Sequence, residues 1–286
     1  MGRYIQFTLN VNEGKWLIAY GIAALPEFQK ALDKSTVFLK GGTTVSCLSE
    51  LLVHYPMRVC GRTSMRGTVS SKFNNEAAHS LCIRNGEIEN VDDLVEEAVM
   101  SLGPGDVAVI GANIYDQYGN AAMLSGTPGG NACGRATAAM ATEGCKVLIA
   151  VGLEKFAPGN LNETISKVRR KGISSSRGMS CGLFPLTGTV FTEIDAIHTI
   201  ADVDVILIGK GGIGGAEGGC VFQVSGKNEE VSKIEDILSL CYGKTVSGDA
   251  ESLIECEYPC SSCGRHLSCC YKKEWQQEHK LLTSRV

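Results

Sequence analysis

The sequence predicts an α/β protein built on an open, mainly parallel sheet flanked by helices, with a small cysteine-rich appendage at its C-terminal end. Three observations carry this prediction. Short apolar runs alternate with helix-like stretches, glycines follow several of those runs, and five of the 13 cysteines lie between Cys256 and Cys270. Apolar strands that alternate with helices are typical of a parallel sheet. We therefore divide the chain into an α/β domain (1–243) and a cysteine-rich tail (244–286).

The composition is that of a globular protein without a basic surface. Of its 286 residues, 44% are hydrophobic and 20% charged, and the formal net charge is -4. Such a charge offers no field for nucleic acid or an anionic membrane, so we expect neither as a partner. No run approaches the roughly 18 apolar residues of a membrane span, and the first residues lack an apolar signal core. We expect a cytoplasmic protein, a small anionic metabolite as partner, and a homo-oligomer.

The elements follow one another in a regular order. The run 37–40 predicts a strand that ends at a glycine pair, and 43–54 predicts a helix because its apolar residues recur at helical spacing. The further predictions, in chain order, are a short strand at 57–60, a helix opened by a capping box at 93–96, a strand at 106–112, a helix at 136–142, a buried strand at 146–153, an exposed helix and loop at 160–179, a strand at 203–208, an extended run at 220–224 and a helix at 231–240. Parallel sheets bind ligands at the carboxyl ends of their strands, where the glycines fall here.

The first glycine loop joins a strand to the start of a helix. It comprises Gly41, Gly42, Thr43 and Thr44, directly after Lys40. Glycines let the backbone approach a ligand closely, and the free amides and dipole of a helix start attract phosphate or carboxylate. The same residues also suit a tight turn with a threonine cap, so ligand binding and an ordinary cap both remain open.

A second glycine-rich loop follows the run 203–208. Its candidate ligand-binding residues are Lys210, Gly211, Gly212 and Gly214, with Glu217 nearby. The spacing matches a dinucleotide fingerprint formally, but more glycines and an extended run follow where that fingerprint needs a helix. A glycine-lined wall that carries a lysine and a glutamate is therefore preferred to a nicotinamide or flavin site.

A third loop follows the strand at 106–112. Asp116, Gly119 and Asn120 place an acid and an amide beside a glycine, an arrangement that can orient a hydroxyl-rich or carbonyl ligand. The alternative is a turn without chemistry, since these residue types also favour turns.

The cysteine cluster is the sharpest local pattern. Its candidate metal ligands are Cys256, Cys260, Cys263, Cys269 and Cys270, with His266 as an alternative fourth ligand. Closely spaced thiolates bind zinc or an iron–sulfur cluster, and we expect one of these as cofactor. Reactive surface thiols or a disulfide in the tail are the alternatives.

Three motifs together resemble the superfamily of ribose-5-phosphate isomerase, glucosamine-6-phosphate deaminase and the family I CoA-transferases. They read KGGTTVSCLSELL, GDVAVIGANIYDQYGNAAML and VILIGKGGIGGAEGG, and the resemblance covers about 37–225. It implies a Rossmann-like open sheet with its site at the strand ends. By motif match, the loop 41–44 would line an anion pocket and Asp116, Gly119 and Asn120 would shape its wall. Glu217 would be the glutamate that attacks an acyl-CoA.

Three hypotheses for function follow. The first is binding of a phosphorylated or CoA-linked small molecule with acyl or CoA transfer through Glu217, for which CoA is a substrate. The second is sugar-phosphate isomerisation with Asp116 or Glu217 as the base and Lys210 nearby. The third is a non-catalytic protein that senses a metabolite and holds a metal or cluster in its tail.

Overall fold

The computed structural model describes residues 2–71, 76–256 and 266–270, which form 14 strands and eight α-helices. The strands are β1 (Arg3–Leu9), β2 (Thr36–Lys40), β3 (Gly61–Ser64), β4 (Gly67–Ser70), β5 (Ser80–Arg84), β6 (Glu87–Asn90), β7 (Val107–Gly111), β8 (Ile114–Tyr115), β9 (Ala121–Ser125), β10 (Lys146–Ala150), β11 (Gly182–Leu186), β12 (Thr189–Phe191), β13 (Val203–Gly211) and β14 (Gly219–Gly226). The helices are α1 (Val11–Ala24), α2 (Pro26–Lys34), α3 (Thr43–Val53), α4 (Val95–Met100), α5 (Asn131–Thr142), α6 (Leu161–Lys167), α7 (Glu193–Ile200) and α8 (Asn228–Cys241).

The largest sheet has six strands in the order β12-β10-β7-β2-β5-β6. The first four run parallel, whereas β5 and β6 are antiparallel additions. The central strands β2, β7 and β10 are mostly apolar, and four of the five residues in each are buried, as expected for strands covered on both faces. The predicted α/β class with a mainly parallel sheet is therefore confirmed, and the carboxyl ends of β2, β7, β10 and β12 share one edge.

The strand predicted at 203–208 does not belong to this sheet. It extends to Gly211 as β13 and pairs antiparallel with β14, which also pairs with β1, in a separate three-stranded sheet. Alternate residues, including Asp204, Ile206 and Ile208, are exposed. The prediction of a buried strand in the parallel sheet was wrong. The exposed face of this strand carries Ile206 and Ile208, so the sequence lacks the alternation of polar and apolar residues that indicates a half-exposed strand.

Helix α1 is the central helix of the layer beside the main sheet. It packs against α3, α7 and α8, and it is buried over much of its circumference. Its start is fixed by a capping box, in which the Asn10 side chain accepts hydrogen bonds from the amides of Asn12 and Glu13 while the Glu13 carboxylate accepts from the Asn10 amide. This cap holds the first turns of α1 in a defined position near the carboxyl edge.

Two local predictions were wrong. Residues 57–60 form no strand, because their amides bond elsewhere: Met57 donates to the Ser46 hydroxyl and Arg58 to the carbonyl of Ala78. The capping box at 93–96 is also absent among the described side chains, and a short 3-10 turn over Asp92–Leu94 precedes α4. Asp92 instead accepts hydrogen bonds from the backbone amides at 79 and 80.

The segment 244–256 packs against the α/β body. Ser247 donates to Ser46 over 2.6 Å, the amide of Val59 donates to Ser252 over 3.0 Å, and the Trp16 indole donates to the carbonyl of residue 245. The described part of the chain after residue 243 thus continues the packing of the main body. Within the described residues, no helix combines the length and the apolar character needed to cross a lipid bilayer.

Candidate active site

The first glycine loop lies where β2 passes into α3, at the carboxyl edge of the main sheet. Gly42 is the N-cap of α3, and no described side chain caps the helix, which leaves its first amides open. A side chain added at Gly42 would meet nothing within 4 Å, so the space above the helix start is empty. Thr43 and Thr44 form the first turn, with Thr44 buried. The threonine cap considered from the sequence is therefore not formed, and an anion can approach this helix start.

Lys40 adds a buried positive charge to this loop. Its side chain is buried, and its ammonium nitrogen donates to the thioether of Met123 over 3.6 Å. A thioether is a weak acceptor and carries no charge, and none of the described carboxylates forms an ion pair with this ammonium. The end of β2 thus presents a cation beside an open helix start.

Gly41 has a packing role in the same loop. A Cβ at this position would lie 2.6 Å from the His79 ring nitrogen Nδ1 and 2.7 Å from the carbonyl oxygens of Arg58 and His79. Burial and the nearby charge of Lys40 lower the pKa of His79 to about 4, so its ring is neutral. Gly41 therefore lets β2 and the start of β5 approach closely, whether or not a ligand binds.

Asp116 is enclosed by hydrogen-bond donors. It is only 2% exposed. One carboxylate oxygen accepts from the amides of Tyr118 and Asn120, and the other accepts from the Asn120 side chain and the amide of Leu161, all within 2.8–3.0 Å. Burial would raise the pKa of Asp116, but the Asn120 side chain and these amides outweigh it and lower that pKa. A carboxylate that accepts these hydrogen bonds at both oxygens holds its loop in a defined conformation. Gly119 and Asn120 belong to the same turn.

The second glycine loop is the turn between β13 and β14. Gly211, Gly212, Gly214 and Glu217 are all exposed there, and the Glu217 carboxylate accepts a hydrogen bond from the nearby amide of Gly215. Lys210 reaches away from the turn and donates to the carbonyl of Leu153, in the 3-10 turn Leu153–Lys155 after β10. Glu217 therefore lies on an exposed hairpin, whereas the base of the loop contacts the carboxyl edge of the main sheet.

Two glutamates, one half-buried and one buried, occupy that edge. Glu154 lies in the turn after β10, and Glu193 is the first residue of α7 directly after β12. Glu193 is 3% exposed, and its Oε2 atom accepts from the amide of Leu153 over 2.9 Å. Burial, and then the neighbouring carboxylate of Glu154, raise the pKa of Glu193 to about 7. Glu193 can therefore hold a proton near neutral pH.

Glu154 is the more accessible of the two. Its side chain is 14% exposed, and its Oε1 atom is buried without a hydrogen-bond partner among the described residues. The Lys155 ammonium lies 3.8 Å from Oε1, which is too long for a hydrogen bond but close enough to balance the charge. A buried carboxylate oxygen without a donor is costly, and such an atom is expected to meet a ligand or a water.

Lys15 and Tyr115 surround the carboxylates. Lys15 is 8% exposed, and burial together with the charge of Lys155 lowers its pKa against the opposing influence of Glu154, Cys47 and Glu193. Burial, followed by the nearby glutamates, raises the pKa of the Tyr115 hydroxyl. Its ring contacts Phe156 edge to face, with centroids 5.5 Å apart. The edge thus gathers two carboxylates, two ammonium groups and a phenol.

The sequence analysis missed these residues. Glu154 directly follows the predicted strand 146–153. The site prediction was based on glycines at the strand ends and did not include the first acid beyond them. Glu193 was hidden because the short strand before it was not predicted. Lys15 belongs to an N-terminal region for which no element was predicted. A search for acids within a few residues of each strand end would have found Glu154.

The structure describes only part of the predicted metal site. Cys260 and Cys263 lie outside the described residues, and within the described ones no group of three or more metal-binding side chains occurs. Cys269 is buried, and the amide of Cys270 donates to the carbonyl of Ser176 over 2.9 Å. Zinc or an iron–sulfur cluster at Cys256 and its neighbours remains a prediction.

Comparison with known proteins found no matching family model, curated protein or solved structure. The resemblance to the isomerase and CoA-transferase superfamily therefore remains a prediction, and the geometry of the carboxyl edge carries the functional argument.

Replacing Glu193 by glutamine is expected to change how stability depends on pH. The folded-state pKa of about 7 lies above the ordinary 4.5, so the folded protein binds a proton that the unfolded chain lacks between these values. The stability from this site is full below the lower value and is lost as pH rises through the higher one, by roughly 3 kcal/mol. Urea unfolding of both proteins from pH 4 to 8 measures it; a difference in unfolding free energy that does not change with pH contradicts it.

Proposed function

We propose that this chain is an enzyme that binds a phosphorylated carbonyl compound at the carboxyl edge of the main sheet and moves a proton between carbon atoms beside the carbonyl group. One observation carries the proposal: the half-buried Glu154 and the buried Glu193 are neighbouring carboxylates at one edge, and they differ in environment. Glu154 has a buried oxygen that no described residue hydrogen-bonds, and Glu193 has a pKa near neutrality. Paired acids in distinct environments are the usual means of acid–base catalysis at neutral pH.

The open start of α3 supports the phosphate end of such a substrate. Phosphate binds to the free amides at a helix start, and the buried Lys40 supplies the opposing charge. The strands β2 and β10 are separated only by β7, so the carboxyl ends of these two strands lie about 10 Å apart at the sheet edge. A short phosphorylated carbon chain spans that distance and places its carbonyl group beside the glutamates.

The two glutamates would then have different roles. Glu154, with its free oxygen, removes the proton from the carbon next to the carbonyl group. Glu193, protonated near neutral pH, supplies a proton to the oxygen on which negative charge develops. Lys155, whose ammonium lies 3.8 Å from the Glu154 carboxylate, stabilises that charge. This assignment replaces the acid roles that the sequence suggested for Asp116 and Glu217.

Solvent proton exchange tests the proposal. The protein is incubated in D2O with a panel of aldose and ketose phosphates, and deuterium incorporation beside the carbonyl is followed by NMR. Glu154→Gln is expected to reduce exchange at least about a hundredfold, the usual contribution of a general base. Glu217→Gln is the matched control and should retain exchange. Absence of exchange with every compound, or full exchange in Glu154→Gln, would rule the proposal out.

Acyl transfer is a second candidate, favoured by the unpartnered oxygen of Glu154. A carboxylate of this kind can attack the thioester of an acyl-CoA, with backbone amides of neighbouring glycines stabilising the oxyanion. Glu154 suits this role better than the exposed Glu217, whose carboxylate already accepts the amide of Gly215. Borohydride reduction of the protein after reaction with acyl-CoA, followed by peptide mass spectrometry, should mark Glu154; a mark on Glu217 would support the hypothesis drawn from the sequence.

A further inference from the structure

Lys15 is the unpartnered ammonium of the carboxyl edge. It forms no hydrogen bond and no ion pair with any of the described residues, although its side chain is only 8% exposed. Buried lysines are rare unless they are paired, because an ammonium group loses its hydration on burial. The other lysines of this edge each have a partner: Lys40 contacts Met123, Lys155 faces Glu154 and Lys210 donates to the Leu153 carbonyl.

The position of Lys15 is fixed by the packing of α1. The residue before it, Gly14, lies so close to α7 that a Cβ there would be 2.7 Å from Oε1 of Glu193. The capping box at Asn10 fixes the same turn from the other side. The side chain therefore starts from a rigid turn whose Gly14 lies against the Glu193 carboxylate. Functional groups carried by rigid elements keep a defined geometry toward their target.

We propose that Lys15 is a nucleophile that forms an imine with the carbonyl carbon of the compound bound at this edge. The inference rests on the proposed function and names its substrate class more narrowly, as an aldehyde or ketone with a hydrogen on the neighbouring carbon. A carbonyl compound supplies the partner that the buried amine lacks. A thioester, the substrate of the second candidate function, would not need an amine at this place.

The electrostatic environment agrees with this role. Only the free amine attacks a carbonyl group, and burial together with the charge of Lys155 lowers the pKa of Lys15. Lysines that form imines in proteins are activated in this way, by desolvation or by a second cationic group. Each unit by which the pKa falls raises the fraction of free amine near neutral pH about tenfold.

The chemistry balances without an oxidant or a reductant. The amine nitrogen of Lys15 bonds to the carbonyl carbon, the carbon–oxygen double bond becomes single, and one proton passes from that nitrogen to the oxygen, giving a carbinolamine. Glu193 then donates its proton to that hydroxyl group, the carbon–oxygen bond breaks, and one water molecule leaves. The product is a protonated imine, which withdraws electrons from the neighbouring carbon. Glu154 can remove the proton from that carbon, and hydrolysis of the imine returns the free lysine.

Reductive trapping on the full chain tests the inference. The protein is incubated with dihydroxyacetone phosphate or ribose 5-phosphate and sodium cyanoborohydride, and the adduct is located by peptide mass spectrometry. We expect labelling at Lys15 to exceed that of every other lysine, because the compound is bound at this edge and the lowered pKa of Lys15 leaves more of it as free amine. Lys15→Arg should lose this adduct, whereas Lys233→Arg, a control at an exposed lysine of α8, should keep it. Thermal unfolding of each variant shows that it is folded.

The outcomes separate this inference from the proposed function. Labelling at Lys15 that persists in Glu154→Gln, without proton exchange in the wild type, supports the imine and rejects the proton transfer. Proton exchange without an adduct at Lys15, and unchanged in Lys15→Arg, overturns the imine and leaves the proposed function in place. Labelling spread evenly over exposed lysines also overturns it, because that pattern reflects ordinary surface glycation.

Discussion

Replacing Asp116 by asparagine is expected to lower the free energy of unfolding by about 3 kcal/mol. Both carboxylate oxygens of Asp116 now accept hydrogen bonds, and asparagine would replace one of them with an NH2 group that cannot accept. The donors are the amides of Tyr118, Asn120 and Leu161 together with the Asn120 side chain. The change sets one N–H group against another in a buried turn. Thermal unfolding should show a midpoint lower by roughly 5–10 °C.

The Asp116 experiment also separates a structural role from a catalytic one. Glu217→Gln is the control, since its exposed carboxylate accepts one local amide, and it should change the midpoint very little. A catalytic Asp116, as the sequence suggested, would lose activity on replacement while keeping its stability. An unchanged unfolding midpoint in Asp116→Asn would therefore contradict the structural role.

Replacing Gly41 by alanine should also destabilise the protein, by about 3 kcal/mol. The added methyl group would lie 2.6 Å from the His79 ring and 2.7 Å from two carbonyl oxygens. Backbone atoms of a buried sheet cannot move aside easily, so the start of β5 would have to shift away from β2. Urea unfolding measures the loss.

Gly42→Ala is the matched variant one residue along the chain. Its backbone is extended and its new methyl group meets nothing within 4 Å, so stability should stay within about 0.5 kcal/mol of the wild type. The methyl group would project into the space proposed for the anion, and we expect weaker binding of inorganic phosphate by calorimetry. Equal loss of stability in both variants would show that the two glycines do not have separate roles.

The parts of the fold that the sequence predicted correctly are those with unambiguous periodicity. The buried strands at 37–40, 106–112 and 146–153 correspond to β2, β7 and β10, and the helix at 43–54 corresponds to α3. Each combines a continuous apolar run or a helical repeat with clear breaking residues. For such segments the burial preference of the side chains determines the element almost alone.

The remainder depends on contacts between distant residues. The run at 203–208 is apolar except for Asp204, and its place in the small sheet beside β14 decides that every second residue is exposed. The segment 57–60 looks like a strand, but the hydroxyl of Ser46 and the carbonyl of Ala78 take its amides. No local pattern contains that information, because each partner lies more than ten residues away or in another element.

The sequence predicted where the first glycine loop lies, but not how buried or how hydrogen-bonded each acid is. Gly41 to Thr44 do lie at a carboxyl strand end, as the rule for parallel sheets requires. Burial and hydrogen bonding influence which carboxylate can react, and neither is visible in sequence. Asp116 accepts hydrogen bonds at both oxygens, Glu217 is exposed, and Glu154 has a buried oxygen that no described residue hydrogen-bonds.

The pairing of β1 with β14 can form only late in the synthesis of this protein. Arg3 lies opposite Gly226 and Leu9 opposite Cys220, so the first strand cannot find its partner until most of the chain has left the ribosome. At about 5–20 residues per second, the wait is roughly 10–40 s. During that interval β1 and the start of α1, with Lys15, have only part of their final packing. In the nascent chain β1 is therefore an unpaired strand that could pair with other chains. The packing around the start of α1 would be completed late in synthesis.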